Sequence, residues 1–214
     1  TKDVLVYIEV ADGSPVKASL ESLTPARSIA DARGESVVAV VLGSGREAVA
    51  NEVATSGADR VIYVDSDELR DFNLDAHADV LGQIVEAEKP AVVLLGGTTD
   101  GKDLAPMLAA RFQSASASDV IGVATEGKDV TYTMTEYSGT VLSDVKIASA
   151  PEIATIRSGA FKKLESPAQG KVESGGYAVS DGAVRAKVID TVQEITESVN
   201  LEDAEIIVSG GRGL

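Results

Sequence analysis

A chain of 214 residues with 44% hydrophobic and 25% charged residues is long enough to bury one α/β core, and with 4% aromatics and no Trp that core is aliphatic. The absence of Cys excludes disulfides, thiolate metal sites and cysteine nucleophiles together. A formal charge of −15 argues against nucleic acid and anionic membrane, and it predicts that any charge-steered partner presents a basic face.

In chain order, apolar runs predict strands at Val4–Glu9, Ser36–Leu42, Arg60–Val64 and Ala91–Leu95, with helices near Leu23–Arg33, Arg46–Ser56 and Asn73–Glu88 between them. The third helix is the clearest: Leu74, Ala78, Leu81 and Val85 share a face, Asn73 is placed to cap it, and Pro90 follows its end. In the first, either Thr24 caps a helix beginning at Pro25 or Pro25 breaks a longer one. Alternating strands and helices predict an α/β fold, a mostly parallel sheet with helices on both faces in a Rossmann-like three-layer arrangement. Beyond Asp119 the runs Ser118–Ala124, Val130–Tyr137, Thr140–Ile147 and Glu152–Ile156 leave no room for helices, so the C-terminal part is expected to be antiparallel or irregular. Phe161–Asp181 reads as loop. Residues 190–205 hold six carboxylates and no Lys or Arg, as suits a solvated linker or arm, although an exposed face or a docking role is equally compatible.

Two glycine turns imitate nucleotide-binding motifs. Gly43-Ser-Gly45-Arg-Glu-Ala48 follows a strand, opens a helix and is succeeded by Asp65, as in a dinucleotide fingerprint, but Glu47 would face a pyrophosphate. Gly96–Lys102 has phosphate-loop spacing, yet Asp103 stands where a Mg²⁺-binding hydroxyl is needed and Asp100 adds a second carboxylate. Tight βα turns and a capped following helix account for both. His77, the single histidine, sits beside an apolar helix face and reads as a packing residue; Ser114, Ser116 and Ser118 have no histidine base near them. No catalytic residue and no metal site is identified. No apolar run approaches the roughly 20 residues of a membrane span, and the first strand begins by Asp3 without a signal-peptide pattern, so an intracellular protein without membrane insertion is expected. A transit peptide removed before Thr1 is compatible with this, which keeps bacterial or archaeal cytoplasm and mitochondrial matrix both open.

The end of the chain, Glu205–Leu214 (EIIVSGGRGL), reads as an apolar strand running into a glycine turn, the way an α/β nucleotide-binding domain begins. With DVLVYIEVADG at Asp3–Gly13, LGGTTDGKDLAPMLAARF at Leu95–Phe112, SDVIGV at Ser118–Val123 and TIRSGAF at Thr155–Phe161, it makes the chain resemble the α subunit of electron transfer flavoproteins along its whole length. The resemblance implies a scaffold domain at 1–201 and, at 202–214, the first strand and turn of a flavin domain that continues beyond Leu214. It also implies FAD as the cofactor of the longer protein, contacted by Arg212 with Gly210 and Gly211 beside it, and AMP in a partner β subunit. Implied partners are that β subunit, in a heterodimer, with flavin dehydrogenases as electron donors and a quinone oxidoreductase or another acceptor; the domain would act by binding, without substrate turnover of its own. One departure is local: the family's Gly-Asn pair is replaced at Tyr137-Ser138-Gly139-Thr140. The reading from a different class is a free-standing nucleotide module sensing AMP, ATP or NAD through one of the two glycine turns.

Overall fold

The computed structural model describes residues 1–165, 168–189 and 206–213. The chain opens with β1 (Val4–Ile8), a small hairpin of β2 (Val10–Ala11) and β3 (Ser14–Pro15), then α1 (Lys17–Glu21), α2 (Leu23–Arg33), β4 (Val37–Gly43), α3 (Glu47–Ala54) and β5 (Arg60–Asp65). It continues with α4 (Leu74–Glu88), β6 (Val92–Gly96), α5 (Thr99–Arg111), β7 (Ser116–Glu126), β8 (Asp129–Glu136), β9 (Val141–Val145), β10 (Glu152–Ile156) and β11 (Lys171–Ser174). Among the described residues one sheet has the order β11-β5-β4-β1-β6-β10-β7-β8-β9. β11 through β7 run parallel, and β7, β8 and β9 are antiparallel to one another.

Strand alternation builds the three layers. Val4, Val6 and Ile8 of β1 point to one face, where α1, α2 and α3 bury Leu20, Leu23, Ile29 and Val53 against them. Leu5 and Tyr7 point to the other, which α4 and α5 cover with Leu81, Ile84, Leu104 and Leu108. Because both faces are covered, β4 is buried along all of its VVAVVLG run, the pattern of a parallel strand with no polar alternation.

The antiparallel end was expected, but β10 departs from the expectation. It returns to lie parallel between β6 and β7, pairing Glu152 with Val92 and Ile153 with both Val93 and Ser116. The reading of 161–181 as loop is corrected as well: Lys171–Ser174 adds a parallel edge strand to β5. Its short length and flanking glycines hide it in the sequence, and an ion cluster holds it, with Arg60 of β5 paired to Glu88 of α4 and Glu173 of β11. At Pro25 the second alternative is found. The ring removes the donor that would bond Glu21, so the helix breaks at Ser22 into α1 and α2, and the Thr24 hydroxyl donates to the Lys162 carbonyl instead of capping.

From β11 the chain runs as a strap along α4. The Gln83 amide donates to the Ala178 carbonyl at 2.9 Å, the Ser180 N–H to Asp79 at 2.8 Å, and Arg185 to Asp75 at 2.5 Å. Asn73 serves helix and strap together: its side-chain oxygen accepts the Ala76 N–H at 3.1 Å, as a cap should, and its side-chain nitrogen donates to the Ala186 carbonyl at 2.6 Å. Replacing Asn73→Ala is therefore expected to destabilise the domain by about 1–2 kcal/mol, read as a lower urea midpoint, with faster protease cleavage in the strap. A variant with unchanged midpoint and cleavage would show that Asn73 serves neither role.

Candidate functional site

Three of the runs that carry the family resemblance meet where α5, β7 and the end of β10 come together. Asp119 lies inside β7 with a left-handed backbone, φ 58°, beside a register shift between Ala154 and Ile156. Its N–H donates to the buried Thr155 hydroxyl at 2.8 Å, and Arg157 donates to its Oδ2 from Nε at 2.9 Å and from Nη2 at 2.5 Å. Lys102 approaches the other oxygen at 3.6 Å, and Arg157 also reaches the Thr135 hydroxyl on β8. Hydrogen bonds from Arg157, opposed by burial and aided by Lys102, hold the Asp119 carboxyl below the usual carboxylate range.

This node redirects the sheet. β7 starts parallel to β10, yet beyond Asp119 it turns back across α2, so that Val130 and Tyr132 of β8 join the core under that helix. The Tyr132 hydroxyl there donates to Glu152 at 2.9 Å, and Arg33 pairs with the other oxygen of that carboxylate at 2.6 Å. Lys128, between β7 and β8, consequently lies beside Thr1 and Arg33 at the opposite end of the sheet.

The neighbouring mouth of β1 and β6 is where the strand order reverses, since β4 and β5 lie on one side of β1 and β6 and β10 on the other. A cleft of about 640 Å³ opens there, lined by Glu9, Asp12, Lys17, Thr98, Asp100 and Ser158 among others. Such a crevice is the usual ligand position in an open α/β sheet. Three carboxylates against one lysine make it unsuited to a phosphate. The Thr98 hydroxyl donates to Glu9 and accepts the Gly101 N–H at 3.1 Å, which caps α5. Gly101 packs against the Gly96 carbonyl, where an added Cβ would fall 2.0 Å from the oxygen, so its glycine serves helix packing. Lys102, the residue a phosphate loop would aim at its ligand, turns to Asp119.

The other glycine turn is filled by the chain itself. The Gly45 N–H donates to Asp65 at 2.7 Å and the Ser44 hydroxyl to Asp67 at 2.8 Å, while the stem of Arg46 lies over Gly43, leaving no room for a Cβ. Ser44 and then Arg70 keep the Asp67 carboxyl below its usual range, so this turn presents negative charge where a pyrophosphate would have to enter. His77 is buried, its Nδ1 3.0 Å from the Asn73 carbonyl oxygen and its ring 5.0 Å from Phe72; burial lowers its pKa and keeps it neutral. Ser114 fastens the segment before β10, donating to the Pro151 carbonyl at 2.6 Å. Among the described residues no group of three or more His, Cys, Asp or Glu could hold a metal ion, and no helix is long and apolar enough to cross a membrane.

Gly210, Gly211 and Arg212 stand apart from this node. Ile206, Ile207 and Val208 are 85%, 58% and 94% exposed, pair with no strand among the described residues, and lead to a turn at Arg212 and Gly213. Space around Gly211 is open, with nothing within 4 Å of an added Cβ. The acidic stretch at 190–205 and the domain boundary expected at 201/202 lie outside the described residues. Arg157 and Asp119 carry the C-terminal edge of the sheet but escaped sequence reasoning as a pair. The available signal was an acid in one family-like stretch and a base in another, with nothing to say that they touch.

Residues 4–182 match the model of the electron transfer flavoprotein domain family. Over the whole chain, the sequence is 31% identical to the electron transfer flavoprotein subunit alpha of Thermoanaerobacterium thermosaccharolyticum, covering 66% of it, and 34% identical to that of Bacillus subtilis, covering 65%. It is 32% identical, again over the whole chain, to the acryloyl-CoA reductase electron transfer subunit beta of Anaerotignum propionicum, covering 66%. The chain thus spans just under two thirds of the length of these relatives.

Because the folded state holds the Asp119 carboxyl down, its ionised form contributes stability that is complete above the unfolded pKa of about 4 and is lost as the pH falls toward the folded value. Asp119→Asn should therefore melt below the wild type at about pH 7, with the gap narrowing toward about pH 3. A gap independent of pH would mean that the charge of Asp119 does not hold the turn.

Proposed function

The chain belongs to the electron transfer flavoprotein family, and from that premise we propose that it is the N-terminal scaffold domain of an α subunit, followed by the opening strand and turn of the flavin domain. The scaffold pairs with a β subunit to make a platform, on which the flavin domain carries electrons from flavin dehydrogenases to a quinone oxidoreductase or another acceptor. The observation that carries this reading is the contrast within one chain similar throughout to α subunits. The described residues before position 188 are closed by their own strap, while Ile206–Gly213 stands exposed and pairs with no strand among the described residues.

The residues at the glycine turn fit FAD. Gly210 and Gly211 leave the backbone approachable, and the exposed Arg212 guanidinium is a permanent charge suited to a phosphate or an anionic flavin ring. Bound FAD would supply the capacity to accept and pass on electrons. Most of its contacts would come from residues of the flavin domain beyond this turn, and AMP is assigned to the β subunit. The acids that fill both βα turns of this domain support a scaffold over a nucleotide sensor.

Dialysis against FAD should leave the 214-residue chain without flavin absorbance. The α–β complex, with the α chain extended to the length of its relatives, should retain flavin, and Arg212→Ala should weaken that retention about tenfold or more. Stoichiometric FAD on the 214-residue chain, or full retention by the Arg212 variant, would overturn the assignment.

A further inference from the structure

The turn between β8 and β9 is constructed as if for a contact that the described residues do not supply. Tyr137 at its tip is 79% exposed, and Val141 and Leu142 on the adjoining edge strand are 41% and 65% exposed. Among the described residues up to Lys187, these three are all of the exposed large apolar side chains. The backbone at the tip is also strained, with Tyr137, Ser138 and Gly139 left-handed in succession at φ 49°, 57° and 86°. A tyrosine in that region costs of order 1–2 kcal/mol relative to its ordinary conformation. What holds it is local, a pair of bonds from the Thr140 N–H and hydroxyl to the Tyr137 carbonyl at 3.3 and 2.8 Å. Exposed as it is, the ring gains little from packing to offset that cost.

The root of the turn, in contrast, is fixed. Thr135 is bonded to Arg157, which is clamped on Asp119, so the tip extends from a fixed point of the antiparallel wing formed by β7, β8 and β9. β9 is the last strand of the sheet and leaves one backbone edge without a ladder partner among the described residues.

We propose that Tyr137, Val141 and Leu142 form the anchor by which this domain seats on a basic-surfaced partner subunit, with the Tyr137 ring entering an apolar pocket on it. The inference rests on the reading proposed above, of the chain as the α subunit of a heterodimer; the relatives are named as alpha subunits. Charge selects a heterologous partner over a second copy. Beside the patch Arg157 and Lys146 are already paired with Asp119 and Asp129, Glu136 and Asp144 add negative charge, and the chain as a whole carries −15, so a like copy would bring net negative charge against net negative charge. A rigid aromatic presented from a fixed root is the kind of group that dominates an interface, because little freedom is lost on binding.

The test measures the affinity of the 214-residue chain for a purified electron transfer flavoprotein β subunit from the same source, by isothermal titration calorimetry, with thermal melts in parallel. Tyr137→Ala and Leu142→Glu should each weaken the complex about 30-fold or more, while Glu52→Ala on exposed α3 should not. Tyr137→Gly separates binding from folding. It should raise the melting temperature by relieving the left-handed tyrosine, yet weaken the complex as Tyr137→Ala does. If the wild type binds and these variants bind equally well, the anchor is wrong and the heterodimer reading stands. If the wild type does not bind, the heterodimer reading falls and the anchor with it. Concentration-dependent dimers of the chain alone, abolished by Leu142→Glu, would instead assign the patch to a second copy and overturn the proposed partner.

Discussion

The pairing of Asp119 with Arg157 is the constraint on which the C-terminal half of this domain depends. A strand entering a parallel sheet beside β10 would ordinarily continue to the sheet's end and leave through a helix. Here a left-handed residue inside the strand shifts its register, and an L-residue other than Gly adopts that conformation at a cost that something nearby must offset. Two hydrogen bonds from one guanidinium to a half-buried carboxylate, with Thr155 taking the backbone N–H, make that offset local and specific. At 30% and 40% side-chain exposure the pair is better sheltered than an ordinary surface ion pair, so screening by salt weakens it less.

The redirected strands complete the layer over α2. Without the turn, Tyr132 and Val130 would have no core to enter, and the part-buried Arg33–Glu152 pair would lose the hydroxyl that satisfies it. An ion pair of this depth contributes little net stability beyond its desolvation cost, but removing one member strands the other, which makes the wing and the body of the sheet interdependent. The same node ties Thr135 and so fixes where the β8–β9 turn is displayed.

Much of the first half was legible from local chemistry because its elements are local. The helix at Asn73 has its cap, apolar stripe and terminating proline within one window, and the buried strands read as continuous apolar runs. The insertion of β10 between β6 and β7 was not legible, because a five-residue run carries no information about which neighbour it will choose. β11 was hidden further, since Lys171–Ser174 is polar and is held at the edge by Arg60 from more than a hundred positions earlier. At the site, each glycine turn was legible as a turn. Which acid fills it depends on residues about 20 positions away, as with Asp65 at Gly45, and the Asp119–Arg157 contact spans 38.

The mouth of this sheet offers the geometry that nucleotide-binding proteins exploit, yet the electrostatics there run the other way. Asp65 and Asp67 close the turn after β4, Asp119 draws off the lysine of the turn after β6, and burial beside Asp103 raises the Asp100 carboxyl at the cleft wall. A helix N-terminus attracts an anion only while its N–H groups are free and its surroundings are not already negative, and these helices meet neither condition well. The acids are partnered inside the fold, so they stiffen the edge of the sheet instead of awaiting a ligand. A fold used this way has a rigid centre and leaves its exposed apolar and glycine-rich groups at the margin. The strained tip at Tyr137 and the exposed Gly210–Arg212 turn both sit there, each arranged so that contacts from another polypeptide or domain would complete it.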